Sequence, residues 1–389
     1  MKAQFTQQEQ DYRETELGLL PKKWEVRKIK DLAEVKYGKS NPRDSGSIPV
    51  VGSSGVFSYT SKPLMNLPTI VIGRKGNAGK VWLFLEPCFP SDTTFYLEWK
   101  EKVDVKYLFR YLTFRPLSGE HAKTTVPSLT RPDLENQKVP LPPIHEQEKI
   151  VFVLSTIQSA REKTETVINS LRELKKSLMK HLFTYGAVSP ENSDKVKTRE
   201  TESGVIPEGW KFTKLGEICT YRTGKLNSEA STKFGKYPFF TCSQETSRID
   251  TYSFDQEALL LAGNNARGIY SVKYYNGKFD AYQRTYILTI KNKEQVNYKY
   301  LLFELTRKLE TLRKQSLGST TKYLTAGIIT ELDILIPPKS EQEQIALILS
   351  SVNSEIESEE RRKESLDELF KSMLHDLMSA RIRVNNFGG

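Results

Sequence analysis

Two stretches of nearly forty residues place their periodic positions in steps of three and four. In the first these are Ile150, Val153, Ile157, Ala160, Thr164, Val167, Leu171, Leu174 and Leu178. In the second they are Ile345, Leu349, Val352, Ile356, Glu359, Lys363, Leu366, Phe370, Met373 and Leu377. Such spacing puts one narrow, mostly apolar stripe on each of two helices, the pattern of coiled-coil packing. At 1.5 Å per residue each helix would run roughly 55–60 Å, too long for the interior of a small domain. Each therefore needs a partner along its length, and the nearest is the other copy, in an antiparallel pair. Packing of each helix on its own domain is the plainer alternative.

Both helices open at matching junctions. Pro142-Pro143-Ile144-His145-Glu146-Gln147-Glu148-Lys149-Ile150 is echoed 195 residues later by Pro337-Pro338-Lys339-Ser340-Glu341-Gln342-Glu343-Gln344-Ile345. Proline disfavours helix at the residue before it, and Glu-Gln-Glu suits the positive end of a helix dipole. Farther upstream, Gly18-Leu19-Leu20-Pro21 through Trp24 matches Gly204-Val205-Ile206-Pro207 through Trp210 at an offset of 186, as does Gly38-Lys39 against Gly224-Lys225. Phe89 and Tyr96 align with Phe279 and Tyr286 at 190, and Leu129-Thr130 with Leu324-Thr325 at 195. The chain is thus a duplication whose second copy gains nine residues in its middle, as a scaffold carrying different loops would.

The middles read as strands. Thr69-Ile70-Val71-Ile72 and Leu259-Leu260-Leu261-Ala262 are apolar runs closing on Gly73 and Gly263, and the β-branched and aromatic runs at 93–97 and 284–290 follow. Helices are expected at 107–112 and 300–305. The predicted class is α+β: two repeated α/β domains separated by two long helices in an antiparallel coiled coil. The boundaries are an extended arm 1–16, a domain 17–143, a helix 144–185, a polar linker 186–203, a second domain 204–338, a helix 339–380 and a tail 381–389.

At 389 residues there is room for two or three cores, and 27% charged residues beside 38% hydrophobic ones describe a globular chain. A net charge of +10 favours a polyanionic partner without proving one. Cys88, Cys219 and Cys242 are too few and scattered for a disulfide framework or a zinc site. The start lacks an apolar leader, and no run of about eighteen apolar residues occurs. A cytoplasmic protein is expected.

Catalytic motifs are mostly missing. Gly73-Arg74-Lys75-Gly76-Asn77-Ala78-Gly79-Lys80-Val81 follows a strand, but a phosphate loop needs glycine where Arg74 stands and a hydroxyl where Val81 stands. The dinucleotide fingerprint is absent as well. Asp92 with Glu98-Trp99-Lys100 resembles a nuclease's carboxylate set, yet the spacing is short and surface charges on a strand fit better. The four histidines, His121, His145, His181 and His375, have no metal-ligand spacing. No Asn/Asp-Pro-Pro-Tyr/Phe tetrapeptide, with which an amino-methyltransferase holds its base, occurs. The chain reads as non-catalytic, with no metal or cofactor of its own.

What remains is a pair of polar, glycine-containing loops at matched places. The first carries Arg74, Lys75, Asn77 and Lys80; the second carries Asn264, Asn265 and Arg267 and, beyond the next strand, Tyr282, Gln283 and Arg284. Lys39, Ser53 and Ser54 join the first set, and Lys225, Gln244 and Lys322 the second. Arg and Lys bridge guanine O6 and N7, while Asn and Gln pair with adenine N6 and N7, so these residue types suit major-groove reading. Taken singly, either loop reads as a solvated turn; two at matched positions in a basic chain favour base or phosphate contact.

The Leu-Pro-Pro…Glu-Gln-Glu…Ile junctions, the long helices after them, the Pro-x-x-Trp motifs at Trp24 and Trp210, and the Ser128-Leu129-Thr130 and Tyr323-Leu324-Thr325 turns resemble the DNA-specificity subunits of type I restriction–modification systems. The resemblance covers nearly the whole chain; the second copy departs in having Lys322-Tyr323 where the first has Pro127-Ser128. It implies two target-recognition domains, each reading one half of a split double-stranded DNA target, with the helices as a ruler between them. It also implies docking of two modification subunits, which bind S-adenosylmethionine and methylate adenine, and of restriction subunits using ATP and Mg²⁺. Competing readings are a coiled-coil scaffold for protein partners and a fused enzyme whose motif goes unrecognised.

Overall fold

The structure is a computed structural model and describes residues 11–115, 117, 128–202, 204–266 and 268–384. Contacts divide the chain into two compact units, Met1–Glu165 with Arg361–Gly389, and Thr166–Glu360. This differs from a division into readers and spacers. The first unit takes the beginning of one long helix, Ile144–Tyr185, and the end of the other, Lys339–Met378; the second unit takes the remaining halves.

In the first unit a four-stranded antiparallel sheet runs in the order Ala33–Tyr37, Thr94–Trp99, Thr69–Gly73, Val81–Phe84. Thr69–Gly73 is buried throughout, as its unbroken apolar run requires. A separate sheet holds Gly55–Thr60, Ile48–Gly52 and Phe89–Pro90. The helix Val105–Phe114, capped by the Asp104 carboxylate, lays Tyr107, Leu108, Tyr111 and Leu112 on the core with Ile70, Ile72, Phe95 and Leu97.

The second unit repeats this plan, but its two sheets are one: Cys219–Thr223, Thr285–Ile290, Phe254–Ala262, Val272–Ala281, Tyr237–Phe240, Ser247–Ile249. Strand Val272–Ala281 runs unbroken through the stretch where the first unit stops at Phe84 and restarts at Phe89. Pro87 lies in that interrupted stretch, and a proline there removes a ladder donor. The ladders also correct the repeat's register. Phe95 faces Tyr37 as Tyr286 faces Thr223, so the counterpart of Tyr286 is Phe95, at an offset of 191, and not Tyr96. One residue matters here, because successive strand side chains point to opposite faces.

The arm, linker and tail also differ from expectation. Tyr12–Thr15 pairs with Gly18–Pro21, and Thr198–Thr201 pairs with Gly204–Pro207, so each copy opens with the same hairpin. Arg13 Nη2 donates to the Trp24 carbonyl at 2.9 Å, and Arg199 Nη2 to that of Trp210 at 2.9 Å. The chain after the second long helix docks on the first unit: Tyr12 Oη donates to the Ala380 carbonyl at 3.0 Å, Val384 is buried, and Arg383 reaches Glu146.

The Glu-Gln pairs at the helix starts are latches. Glu146, 1% exposed, accepts from Trp24 Nε1 at 3.1 Å and from Arg383 Nε and Nη2 at 2.6 and 2.9 Å. Glu341 accepts from Trp210 Nε1 at 2.9 Å and from the Ala187 amide at 3.1 Å. Gln147 takes the Asp104 amide and gives to the Pro142 carbonyl; Gln342 takes the Asn297 amide and gives to Pro337. A buried polar side chain is tolerated when its hydrogen bonds are met in this way.

Within each unit the two long helices pack together antiparallel. In the first, Arg161 pairs with Asp367 and Glu165 with Lys363, four residues forward on one helix and four back on the other. In the second, Arg172 Nη2 meets Glu360 at 2.6 Å. On the second helix Ile345, Leu349, Ile356 and Leu377 are buried, and Val352, Leu366, Phe370 and Met373 half-buried. On the first, Ile150 is buried and Val153, Ile157, Leu171 and Leu178 half-buried, but Val167 and Leu174 are 44% and 48% exposed. Leu154 and Ile168 are buried instead. Alternating steps of four and three from Ile150 pass through Leu154, Ile157, Arg161, Thr164, Ile168, Leu171, Lys175, Leu178 and Leu182. The stripe holds cations at Arg161 and Lys175, so following apolar residues alone slips off it by one.

Candidate nucleic-acid interface

In the first unit the loop between strands Thr69–Gly73 and Val81–Phe84 is closed by Gly73 N to the Lys80 carbonyl at 2.8 Å and Gly79 N to Gly73 at 2.9 Å. Gly79 has φ of 80°, and a Cβ there would sit 2.3 Å from the Leu117 carbonyl oxygen, so only glycine fits the turn. Arg74 is braced on three sides. Its amide donates to Thr93 O at 2.9 Å, its Nη2 to Asp92 O at 3.0 Å, and its guanidinium lies 5.2 Å from the Tyr37 ring centre. Asn77 Nδ2 donates to Ser54 Oγ at 2.8 Å, the Ser53 amide to Thr93 Oγ1 at 3.2 Å, and the Lys39 amide to the Pro90 carbonyl at 3.1 Å.

The turn 91–93 thus gathers Lys39, Ser53, Ser54, Arg74 and Asn77, while Lys75 bridges Ser128. Lys39, Ser54, Lys75, Asn77 and Lys80 are exposed and Arg74 and Ser53 half-buried, with Lys80 at the loop's stem. Arg74 therefore serves partly as a brace for its own loop.

The second unit builds the same frame from other side chains. Gly263 N donates to the Arg284 carbonyl at 2.8 Å, as Arg74 N does to Thr93, and Leu324 N donates to Gly263 as Leu129 N does to Arg74. Asn264 and Asn265 pair with Tyr323 and Lys322, the counterpart of the Lys75–Ser128 bridge. Despite the different sequence at Lys322-Tyr323, the bridge keeps the same place. Tyr282 bridges Leu226, next to Lys225, and Gln283 Nε2 donates to Asn227 Oδ1 at 2.9 Å. Arg284 is exposed and its carbonyl also takes the Cys242 thiol at 3.4 Å, next to the Ser243-Gln244 turn. Lys225, Gln244, Asn264, Asn265, Tyr282, Gln283, Arg284 and Lys322 are thereby linked through one set of strand ends; Arg267 lies outside the described residues.

Residues passed over in the sequence join these sets. Tyr37 and Phe57 are exposed aromatics, one under Arg74 and the other against Gly52 beside Ser53. In the second unit Arg313 lies beside Gly268 and Lys322. The available signal was an outward aromatic next to a glycine turn.

Elsewhere the groups are structural. Glu98 pairs with Lys36, and Lys100 Nζ donates to the Lys30 carbonyl at 2.7 Å, so the carboxylates near Asp92 are strand-surface charges. Burial pushes the Cys88 and Cys219 thiols up to about 12, where neither forms a thiolate at neutral pH. Among the described residues no group of three or more His, Cys, Asp or Glu could hold a metal ion, and no helix is long and apolar enough to cross a membrane.

A family model, the type I restriction modification DNA specificity domain, matches residues 21–173 and 207–368, one match per copy of the repeat. The chain belongs to this family. Among relatives of this specificity subunit, the type I restriction enzyme EcoDI specificity subunit of Escherichia coli is 37% identical over 169 residues, which cover 43% of this chain and 37% of that one. The MjaVIII specificity subunit of Methanocaldococcus jannaschii is 26% identical, with 97% of both chains covered. The crystal structure of a type I restriction-modification system S subunit from M. genitalium shares the fold, with a TM-score of 0.67 at 18% identity, covering 91% of this chain and 96% of that one.

Proposed function

We propose that this specificity subunit reads a split double-stranded DNA target in the cytoplasm, one half-site per unit, and carries modification and restriction subunits to it. The observation that carries this reading is one backbone frame displaying two unlike sets of side chains. Lys75 in the first unit stands where Asn264 stands in the second, on equivalent bridges, with Asn77 two residues on in the same loop. Cationic and amide side chains in different order select different base edges, while glycine turns let the backbone approach phosphates. The candidate contacts are Lys39, Ser53, Ser54, Arg74, Lys75, Asn77 and Lys80 for one half-site. For the other they are Lys225, Gln244, Asn264, Asn265, Arg267, Tyr282, Gln283, Arg284 and Lys322.

Methyl transfer, with S-adenosylmethionine, and cleavage, with ATP and Mg²⁺, belong to the partner subunits, two of them modification subunits. Readers at 17–143 and 204–338, with helices 144–185 and 339–380 as spacers, describe the functional division even though packing divides the chain otherwise. The paired helices set the unread gap.

Asn77→Ala should relax selection at one or two base pairs of one half-site only, and Asn264→Ala at the other half-site only. Each lost bidentate contact is worth about 1–3 kcal/mol of discrimination. Mapping of methylated sites in cells carrying each variant reads this. Both half-sites unchanged in both variants would remove these loops from the reading surface.

A further inference from the structure

Phe152 and Leu347 stand at the same place in the two copies, 195 residues apart, and are 70% and 72% exposed. Each lies two residues beyond a buried seam isoleucine, Ile150 or Ile345, and two helical residues make a rotation of about 200°. Both therefore point away from the helix pairing, where a paired helix is ordinarily polar. The surroundings repeat as well. Glu148 and Glu343 lie one turn before, and Ser155-Thr156 and Ser350-Ser351 one turn after.

Several of those hydroxyls are already satisfied by their own helix. Ser155 Oγ donates to the Val151 carbonyl at 2.7 Å, Thr156 Oγ1 to Phe152 at 2.8 Å, and Ser351 Oγ to Ile348 at 2.8 Å. A partner can cover them without leaving a donor unpaired. Small side chains around one large apolar one also make a knob that a pocket can grip.

The contrast with the reading loops is informative. Loops that face two different half-sites carry different residues at matched positions. A surface that keeps its apolar knob, its carboxylate and its small neighbours in both copies meets the same surface twice. We infer that Phe152 and Leu347 are twin anchors for two copies of one partner protein, each offering an apolar pocket with a basic residue at its rim. The repeated charge is what suits a basic rim: Glu148 and Glu343 are exposed carboxylates at matched positions in a chain of net charge +10, whereas the adjacent Lys149 and Gln344 do not match. The inference rests on the functional reading above, which supplies one partner present in two copies, the modification subunit.

The test is native mass spectrometry and titration of the full chain co-expressed with its modification subunit. Phe152→Asp and Leu347→Asp should each weaken one of the two docking events at least tenfold, giving complexes with a single modification subunit, and the double variant should recruit none. Phe152→Leu should restore two. Because both side chains are exposed, thermal unfolding of the free chain should not change; the milder Phe152→Ala and Leu347→Ala pair should show the same single-copy loss in weaker form. Wild-type stoichiometry and affinity in all these variants would overturn the anchors while leaving the DNA reading intact. A wild-type chain that recruits no modification subunit would overturn that functional reading and the anchors together.

Discussion

Glu146→Ala should destabilise the first unit by about 3–5 kcal/mol, the usual cost of removing one partner from a buried ion pair. The carboxylate is 1% exposed, and its loss strands the Arg383 guanidinium and the Trp24 indole N–H, both of which donate to it. The corresponding Glu341→Ala should cost less, about 1–3 kcal/mol, because Glu341 accepts from an indole N–H and a backbone amide and has no ion pair among the described residues. Urea unfolding of the two variants followed by fluorescence of Trp24 or Trp210 separates the units. Equal losses would mean that the docking of Arg383 contributes nothing. The functional consequence follows from position: Glu146 begins the helix on which the first reader is mounted.

The second large effect concerns spacing. One heptad inserted into each long helix, after Glu165 and before Arg361, keeps the seam in step and lengthens the pair by about 10 Å, since each residue adds about 1.5 Å. At about 3.4 Å per base pair the unread gap should grow by about three base pairs, with both half-sites unchanged, or modification should cease if the partners cannot span it. An unaltered gap in an active variant would rule out the helices as the ruler.

The duplication, the two long helices and the strand-rich middles were legible because each has a periodic or repeated signal. The junction motif was legible as a boundary but not as a latch, since nothing in Glu-Gln-Glu says that Trp24, Arg383 or Ala187 will come to it from residues far away in the chain. The hairpin opening each copy could have been seen. Arg13-Glu14-Thr15-Glu16 repeats as Arg199-Glu200-Thr201-Glu202, inside stretches whose polarity alone suggested an arm and a linker. Val167 and Leu174 lie off the stripe because Arg161 and Lys175 occupy two of its positions, which hydrophobicity alone does not reveal.

The candidate loops stand out in the sequence by recurrence, yet their geometry does not. Arg74 looks like a free base-reading cation in sequence, and only the Asp92 carbonyl and the Tyr37 ring show that part of its work is to hold its own loop. Aromatic identity in the sequence pairs Tyr96 with Tyr286, whereas the ladder places Phe95 there.

The most direct measurement is the methylated motif in a host that carries this chain with its modification subunit. Two unlike half-sites separated by a gap of constant length and free sequence is the predicted result. A single uninterrupted motif, or half-sites whose separation varies from site to site, would contradict it.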